Sequence, residues 1–375
     1  MSLPSKPRRL LYIDNIRVLC IALVVVMHAA VSYSGFGSWY YNEPTKLNLG
    51  SMLFFGVFQS HLQAFFMSLF FLISGYFVPA SLERKGAGPF LRDRLFRLGV
   101  PLLVYVFVLH PLVVKAAYPN LNLVAFYRNG MSSFGFISWT GPLWFVEALL
   151  VFTLACLPFA GRLKRLPESP AAALPAGPIW LLMALITAGA FGLRLVYPVG
   201  TSVANLQFGY FAAYGVAFVV GVLAGVHRWL ERISFRSAKR WWWLACGFSL
   251  PLWLGAMAAG GAAEGRSDFN GGMNVAALAY AFWESFFCVA IIVAILGFAR
   301  EKLNFQKSWM RFLADNAFGV YVFHALVLVL LSQALRTLAL PAVPKFALVT
   351  LIALPASWTL AWALRQVPPL RRVFS

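Results

Sequence analysis

His28 lies deep inside an apolar run, Tyr12 to Tyr33, and only apolar residues or Cys20 separate it from Arg17. Arg17 and Asp14 stand at the entrance of that run. A helix turns about 100° per residue, so the interval from Arg17 to His28 makes about three turns. It returns both side chains to one face, roughly 16 Å apart along the axis. An imidazole in a water-accessible membrane cavity can act as a general base, taking the proton of a hydroxyl that attacks an activated carbonyl. That carbonyl must arrive on a donor. Arg92, Arg94 and Arg97 stand just before Gly99 and Pro101. With Arg17 they form a guanidinium cluster suited to bidentate binding of the phosphates of a nucleotide-bearing donor such as acyl-CoA. Ordinary charge at the inner membrane surface is the competing explanation of the same arginines.

The other ionisable groups inside apolar runs are His61, Glu147, Glu284 and His324, with His110 nearer an outer end. Such groups are costly in a bilayer, and each is a functional candidate by default. Counted from the predicted inner ends, His28 and His324 both lie about 15 Å deep. Two helices can thus bring two imidazoles to one level. The plainer alternative ties each ring to a backbone carbonyl or a serine. Glu147 follows Trp144 by three residues, which puts a carboxylate and an aromatic ring on one face, a pairing suited to a sugar. An aromatic belt is the plainer reading there. Ser74 and Gly75 read as close helix packing rather than as a nucleophile, and Trp241 to Trp243, beside Lys239 and Arg240, as an interfacial anchor.

The elements that must hold these groups are membrane helices. The hydrophobic fraction is 61%, charged residues are 11%, and the mean hydropathy is +0.76. A soluble domain needs more polar surface, so the chain reads as an all-α, polytopic membrane bundle. Apolar runs of spanning length give about ten helices, near residues 14–34, 54–78, 97–117, 139–160, 178–197, 207–227, 241–260, 274–298, 314–335 and 345–365. The net charge of +19 would suggest nucleic acid in a soluble chain, but cytoplasmic loops of membrane proteins collect Lys and Arg. The basic clusters alternate accordingly. Lys6, Arg8 and Arg9, then Arg84 to Arg97, then Arg162, Lys164 and Arg165, then Arg228 to Arg240, Arg300 to Arg311, and Arg365, Arg371 and Arg372 fall on one side. Lys46, Lys115, Arg128, Arg194, Arg266, Arg336 and Lys345 fall on the other. Both termini are therefore expected in the cytoplasm, with the chain in the inner or plasma membrane. The first run is read as a retained helix rather than a cleaved leader.

No soluble domain fits, so residues 1–375 are expected to form one transmembrane domain. The non-spanning stretches near 35–53, 79–96, 118–138 and 161–177 read as short loops, the last a proline-rich linker with Pro167, Pro170 and Pro175. No internal repeat of the kind common in transporters is visible. Cys20, Cys156, Cys246 and Cys288 fall in separate runs without CxxC spacing and read as core residues, with no disulfide or metal site.

The run Ile13-Asp14-Asn15-Ile16-Arg17, followed after ten residues by His28, resembles the Arg-x10-His signature of the acyltransferase 3 family. Further segments are similar to that family in order: Phe70 to Phe77; Arg94 and Arg97 with Gly99-Val100-Pro101; Leu143-Trp144-Phe145; and Gly319 to His324. The resemblance covers nearly the whole chain. It implies a membrane O-acyltransferase that takes an acetyl or succinyl group from cytoplasmic acyl-CoA. The acceptor it implies is a hydroxyl of an extracytoplasmic carbohydrate or glycolipid, with no tightly bound cofactor. Carried over by position, Arg17 and His28 would be the essential pair, Arg94, Arg97 and Arg92 would serve the donor side, and His324 would be a further polar position in the cavity. Asp14, Trp144 and Glu147 are the candidates for substrate contact. His28 as base and His28 as covalent acyl carrier both remain open.

The wording of Ile73 to Phe77 and Leu143 to Phe145 is similar to the branch that decorates periplasmic glucans. That branch has a His and a basic residue shortly before the Phe pair of the second helix, where this chain reads His61-Leu62-Gln63-Ala64-Phe65-Phe66. Acceptor or acyl choice is expected to differ accordingly. The competing class is a proton-coupled transporter that uses His28, His324 and Glu284 as a relay.

Overall fold

The structure, a computed structural model, describes residues 10–43, 46–163 and 177–373. Lys6, Arg8 and Arg9, Lys164 and Arg165, and the proline-rich stretch of Pro167, Pro170 and Pro175 lie outside them. Among the described residues ten helices are long and apolar enough to cross a membrane: α1 Leu11–Ser34, α2 Leu49–Lys85, α3 Ala87–Ala117, α4 Gly141–Arg162, α5 Gly177–Arg194, α6 Phe208–His227, α7 Phe235–Ala259, α8 Val275–Lys302, α9 Ser308–Ala334 and α10 Ala342–Arg365. Their places match the apolar runs of the sequence. One isolated bridge, Val203 with Leu206, is the only β-type pairing among the described residues.

Two stretches read as loops are helical. Residues 79–96 continue α2 past a turn at Phe77 to Lys85, reverse at Gly86 and enter α3 directly. Arg92, Arg94 and Arg97 therefore stand on a helix. The apolar window underestimates such an end because polar residues lower its average without stopping the backbone. Residues 118–138 similarly hold a short helix, Leu123–Ser132, capped by the Asn122 side chain. Within α3 two segments, Leu95–Gly99 and Tyr105–Leu109, widen to π geometry. Each comes shortly before a proline, Pro101 or Pro111, whose ring clashes with the carbonyl four residues back and lacks an N–H; a wider turn relieves both.

α1 is the axial element, packed along α9, α10 and α2, while α2 packs on α6 and α8. Hydrogen bonds tie α1 to the connection between α8 and α9 at one end and to α9 at the other. Asn15 donates to the Leu303 and Phe305 carbonyls at 2.7 and 2.9 Å, and Tyr33 donates to Ser332 Oγ at 3.0 Å. The α2–α6 contact is a small-residue seam. Gly75 faces the α6 backbone, and a Cβ on Gly221 or Gly225 would run into the Leu72 or Tyr76 carbonyl. Lipid is as apolar as leucine, so helices in a membrane gain by close van der Waals approach of this kind. That agrees with the packing role read for Gly75.

Several assignments from sequence need correction. Arg194 and Lys345, counted with the loop charges, are buried at 0% and 1% exposure. Each has a carboxylate partner, Glu284 at 2.5 Å and Glu43 at 2.8 Å, which is what makes burial tolerable. Trp241 is buried rather than anchoring, while Trp242 and Trp243 are exposed. Cys20 and Cys288 are core residues as expected, but Cys246 is exposed on α7.

Candidate active site

α1 presents His28 to α9, and there the two imidazoles meet: His28 Nδ1 lies 2.9 Å from His324 Nε2. The rings are near parallel, 16° apart, with centroids separated by 5.0 Å. His324 is fully buried, and its Nδ1 sits 2.8 Å from the Tyr321 carbonyl. A carbonyl only accepts, so His324 Nδ1 carries the proton and donates it. With His324 neutral its Nε2 is a lone pair, and the contact between the rings then needs a proton on His28 Nδ1. This tautomer is assigned from the hydrogen-bond network. It leaves His28 Nε2 with a free lone pair. A backbone carbonyl thus fixes one ring, which fixes the next in the form a general base requires.

The open face of His28 is covered by Trp39, stacked at a centroid distance of 3.8 Å and 12° from parallel. Trp39 belongs to the strap between α1 and α2, which turns back about 9 Å from the end of α1 to reach this level. Gly35 and Gly37, at φ +67° and +87°, permit the reversal, since side chains disfavour that region. The strap is held from several directions. The Tyr40 hydroxyl lies 2.7 Å from His110 Nδ1 and 3.1 Å from the Tyr105 hydroxyl. Burial pushes the Tyr40 phenol above its usual pKa, so it remains protonated. Glu43 is clamped by Lys345, and Gln59 donates to Ser34 Oγ at 2.7 Å. Trp39 Nε1, in contrast, is buried without a hydrogen-bond partner. An unpaired buried donor costs about 1–3 kcal/mol.

At the basic end of α1, Arg17 sits 3.8 Å from Asp14 and 5.1 Å over the Phe77 ring. Asp14 therefore stands with the arginines. Arg94 lies over Phe90 at 5.2 Å, within electrostatic reach of Arg17 and Arg97. Arg97 and Lys85 both pair with Asp93, at 3.1 and 2.8 Å, and Arg92 is exposed. Arg17, Arg94 and Arg97 thus gather at the basic end of α1, and Arg92 stands on the same helical segment as Arg94. Trp144 and Glu147 are not brought to the histidines. Trp144 stacks on Tyr214 at 5.5 Å, and its ring path to His324 runs through Phe145 and Tyr321. Glu147 bonds Thr140, with Oε2 buried and unpartnered.

His61 Nδ1 meets the Val57 carbonyl at 2.8 Å, the plain structural role. Glu284 is spent on Arg194, which weighs against a relay through it. Among the described residues no three His, Cys, Asp or Glu side chains gather as a metal would need. Reading the sequence missed Trp39, Tyr40 and Arg194. Trp39-Tyr40-Tyr41 directly after a glycine-rich turn was the available signal for the first two. Nothing in sequence separates Arg194 from a loop charge.

The profile of the acyltransferase domain family matches residues 10–362. The chain belongs to this family, acyltransferase 3, and is a multi-pass membrane O-acyltransferase. Among its relatives, it is similar to glucans biosynthesis protein C of Escherichia coli strain K12, 22% identical over 343 residues, covering 86% of this chain and 82% of the relative. The protein of the same name from Escherichia coli O9:H4 strain HS is 22% identical over 345 residues, with the same coverage.

Proposed function

We propose that the chain moves a small acyl group, of the acetyl or succinyl type, from acyl-CoA to a hydroxyl of a carbohydrate or glycolipid across the membrane. In this reading the basic end faces the cytoplasm of a cell with this chain in its inner membrane. Phosphates of the donor pair with Arg17, Arg94, Arg97 and Arg92, and Asp14 orients Arg17. The pantetheine arm runs along α1, over roughly 16 Å, to bring the thioester to His28. The acceptor hydroxyl gives its proton to His28 Nε2 as its oxygen attacks the carbonyl; the departing thiolate then takes that proton. Trp144 and Glu147 serve an outer part of a long acceptor.

The observation that supports the reading is the Tyr321 carbonyl–His324–His28 chain of hydrogen bonds, which leaves one imidazole lone pair unspent. The family membership supports the acyl transfer, and the name of the relatives supports a glucan-like acceptor. The test is purified protein in lipid nanodiscs with acetyl-CoA or succinyl-CoA and glucan oligosaccharides, read by thiol release and product mass. An acylated product that disappears in His28→Ala is expected. Acylation at the wild-type rate in His28→Ala would overturn the reading.

A further inference from the structure

We propose that Trp39 is a further catalytic residue: its indole Nε1–H donates a hydrogen bond to the acyl carbonyl oxygen as that oxygen gains negative charge. This rests on the acyl-transfer reading at His28. Attack of the acceptor oxygen forms a C–O bond and moves the carbonyl π electrons onto the oxygen. The hydroxyl proton passes to His28 Nε2. Collapse restores the C=O bond and breaks the C–S bond, and the thiolate leaves with the proton held on His28. The transient oxyanion needs a fixed donor in a site from which water is excluded.

Elimination points to Trp39. The His324 Nδ1 proton is committed to the Tyr321 carbonyl, and the His28 Nδ1 proton to His324. The two other rings in contact with this pair are Trp39 and Tyr321, and the Tyr321 hydroxyl is spent on the Pro142 carbonyl. Trp39 Nε1 is the unspent donor of the set, buried and without a partner. An orphaned indole alone would carry nothing, since Trp253 has one too. What distinguishes Trp39 is the stack at 3.8 Å on the ring that bears the free lone pair. It is also preorganised. Tyr40, the next residue, is anchored to His110 and Tyr105, and Glu43 to Lys345, so the donor does not need to move when charge develops. Electrostatic stabilisation of this kind is effective because the orientation is already set.

The test replaces Trp39 with β-(3-benzothienyl)alanine, which keeps the bicyclic shape and puts sulfur where the N–H was, and separately makes Trp39→Phe. kcat, KM and thermal unfolding in detergent are measured on the full chain beside His28→Ala. The expected result is a kcat lower by roughly 100-fold or more in both variants, the effect of deleting one oxyanion donor. KM should stay within about threefold, and the unfolding midpoint of the benzothienylalanine variant should not fall, because it loses an unpaired buried donor and keeps the ring's shape. A benzothienylalanine enzyme that turns over like wild type overturns the proposal, whether or not Trp39→Phe is impaired, because packing alone then accounts for the ring. If His28→Ala is inactive in that same experiment, only the role of Trp39 falls; if His28→Ala remains active, the acyl-transfer reading falls with it.

Discussion

Two polar pairs cross the helix bundle, and they are built on opposite principles. Arg194 and Glu284 carry full charges that meet at 2.5 Å, with side-chain exposures of 0% and 3%. Arg194 Nε is further spent on the Gly209 carbonyl, and the guanidinium lies over the rings of Tyr210 and Tyr280. His28 and His324 are held at 2.9 Å as neutral rings, with one lone pair left over and one orphaned indole N–H beside it. The first pair has its charge neutralised and joins α5 to α8. The second leaves hydrogen-bonding capacity unused at one place. Arg194 Nη1 is also buried without a partner; what sorts these groups, functional candidates as a class in a membrane, is that the histidine pair alone of the two leaves a lone pair that can take a proton.

The strongest break in this contrast is at His28. His28→Ala removes the base and is expected to lower kcat by about 10²–10⁴, with a stability loss of only about 1–3 kcal/mol from leaving His324 Nε2 unpaired. Next is Glu284. Glu284→Ala leaves a buried guanidinium uncompensated, which costs about 3–5 kcal/mol. Thermal unfolding of the purified protein should fall clearly, and turnover per folded molecule should persist. The double variant Arg194→Met, Glu284→Leu should recover most of the stability, since removing both charges removes the penalty. Loss of turnover in a stably folded double variant would mean that this pair is part of the chemistry.

Between these two in subtlety lies His324. His324→Leu deletes the acceptor for His28 Nδ1 and is expected to lower kcat about 10–100-fold, with KM little changed, by releasing the tautomer and orientation of the base. His324→Gln can place an amide oxygen where Nε2 was, and should retain more turnover than His324→Leu at similar stability. Equal turnover in the two variants would remove the positioning role.

How much of this the sequence disclosed follows from the physics of each feature. The ten helices were legible because a bilayer demands about twenty apolar residues per crossing, and the Arg17–His28 spacing because helical periodicity is local. The meeting of His28 with His324 was only half legible. Depth can be counted from each helix end, whereas which helices adjoin is decided by packing such as the Gly221 and Gly225 seam. The Arg194–Glu284 pair was hidden for the same reason, as an arginine at a helix end looks like a loop charge until a partner 90 residues away is found beside it. Trp39 was least accessible, because a loop that folds back into a bundle has no periodicity to betray it.

The smallest effect is expected at the basic end of α1, where the arrangement differs from both buried pairs. Arg97 is 60% exposed and shares Asp93 with Lys85, so its ion pair lies in water and is partly redundant. Exposed pairs of this kind contribute about 0–1 kcal/mol, and Arg97→Ala should leave thermal unfolding unchanged. On the proposed reading of acyl-CoA as donor, losing one of several phosphate contacts should raise its KM by no more than about fivefold, equivalent to about 1 kcal/mol. The effect should shrink as salt rises, because solvent-exposed charges are screened. kcat should be untouched, for Arg97 stands at the basic end of α1, away from His28, and its contacts are expected to be alike before and during the reaction. A fall in kcat without a change in KM would show that the basic end acts on the transition state, and the separation between a solvated binding end and the reacting centre would have to be abandoned.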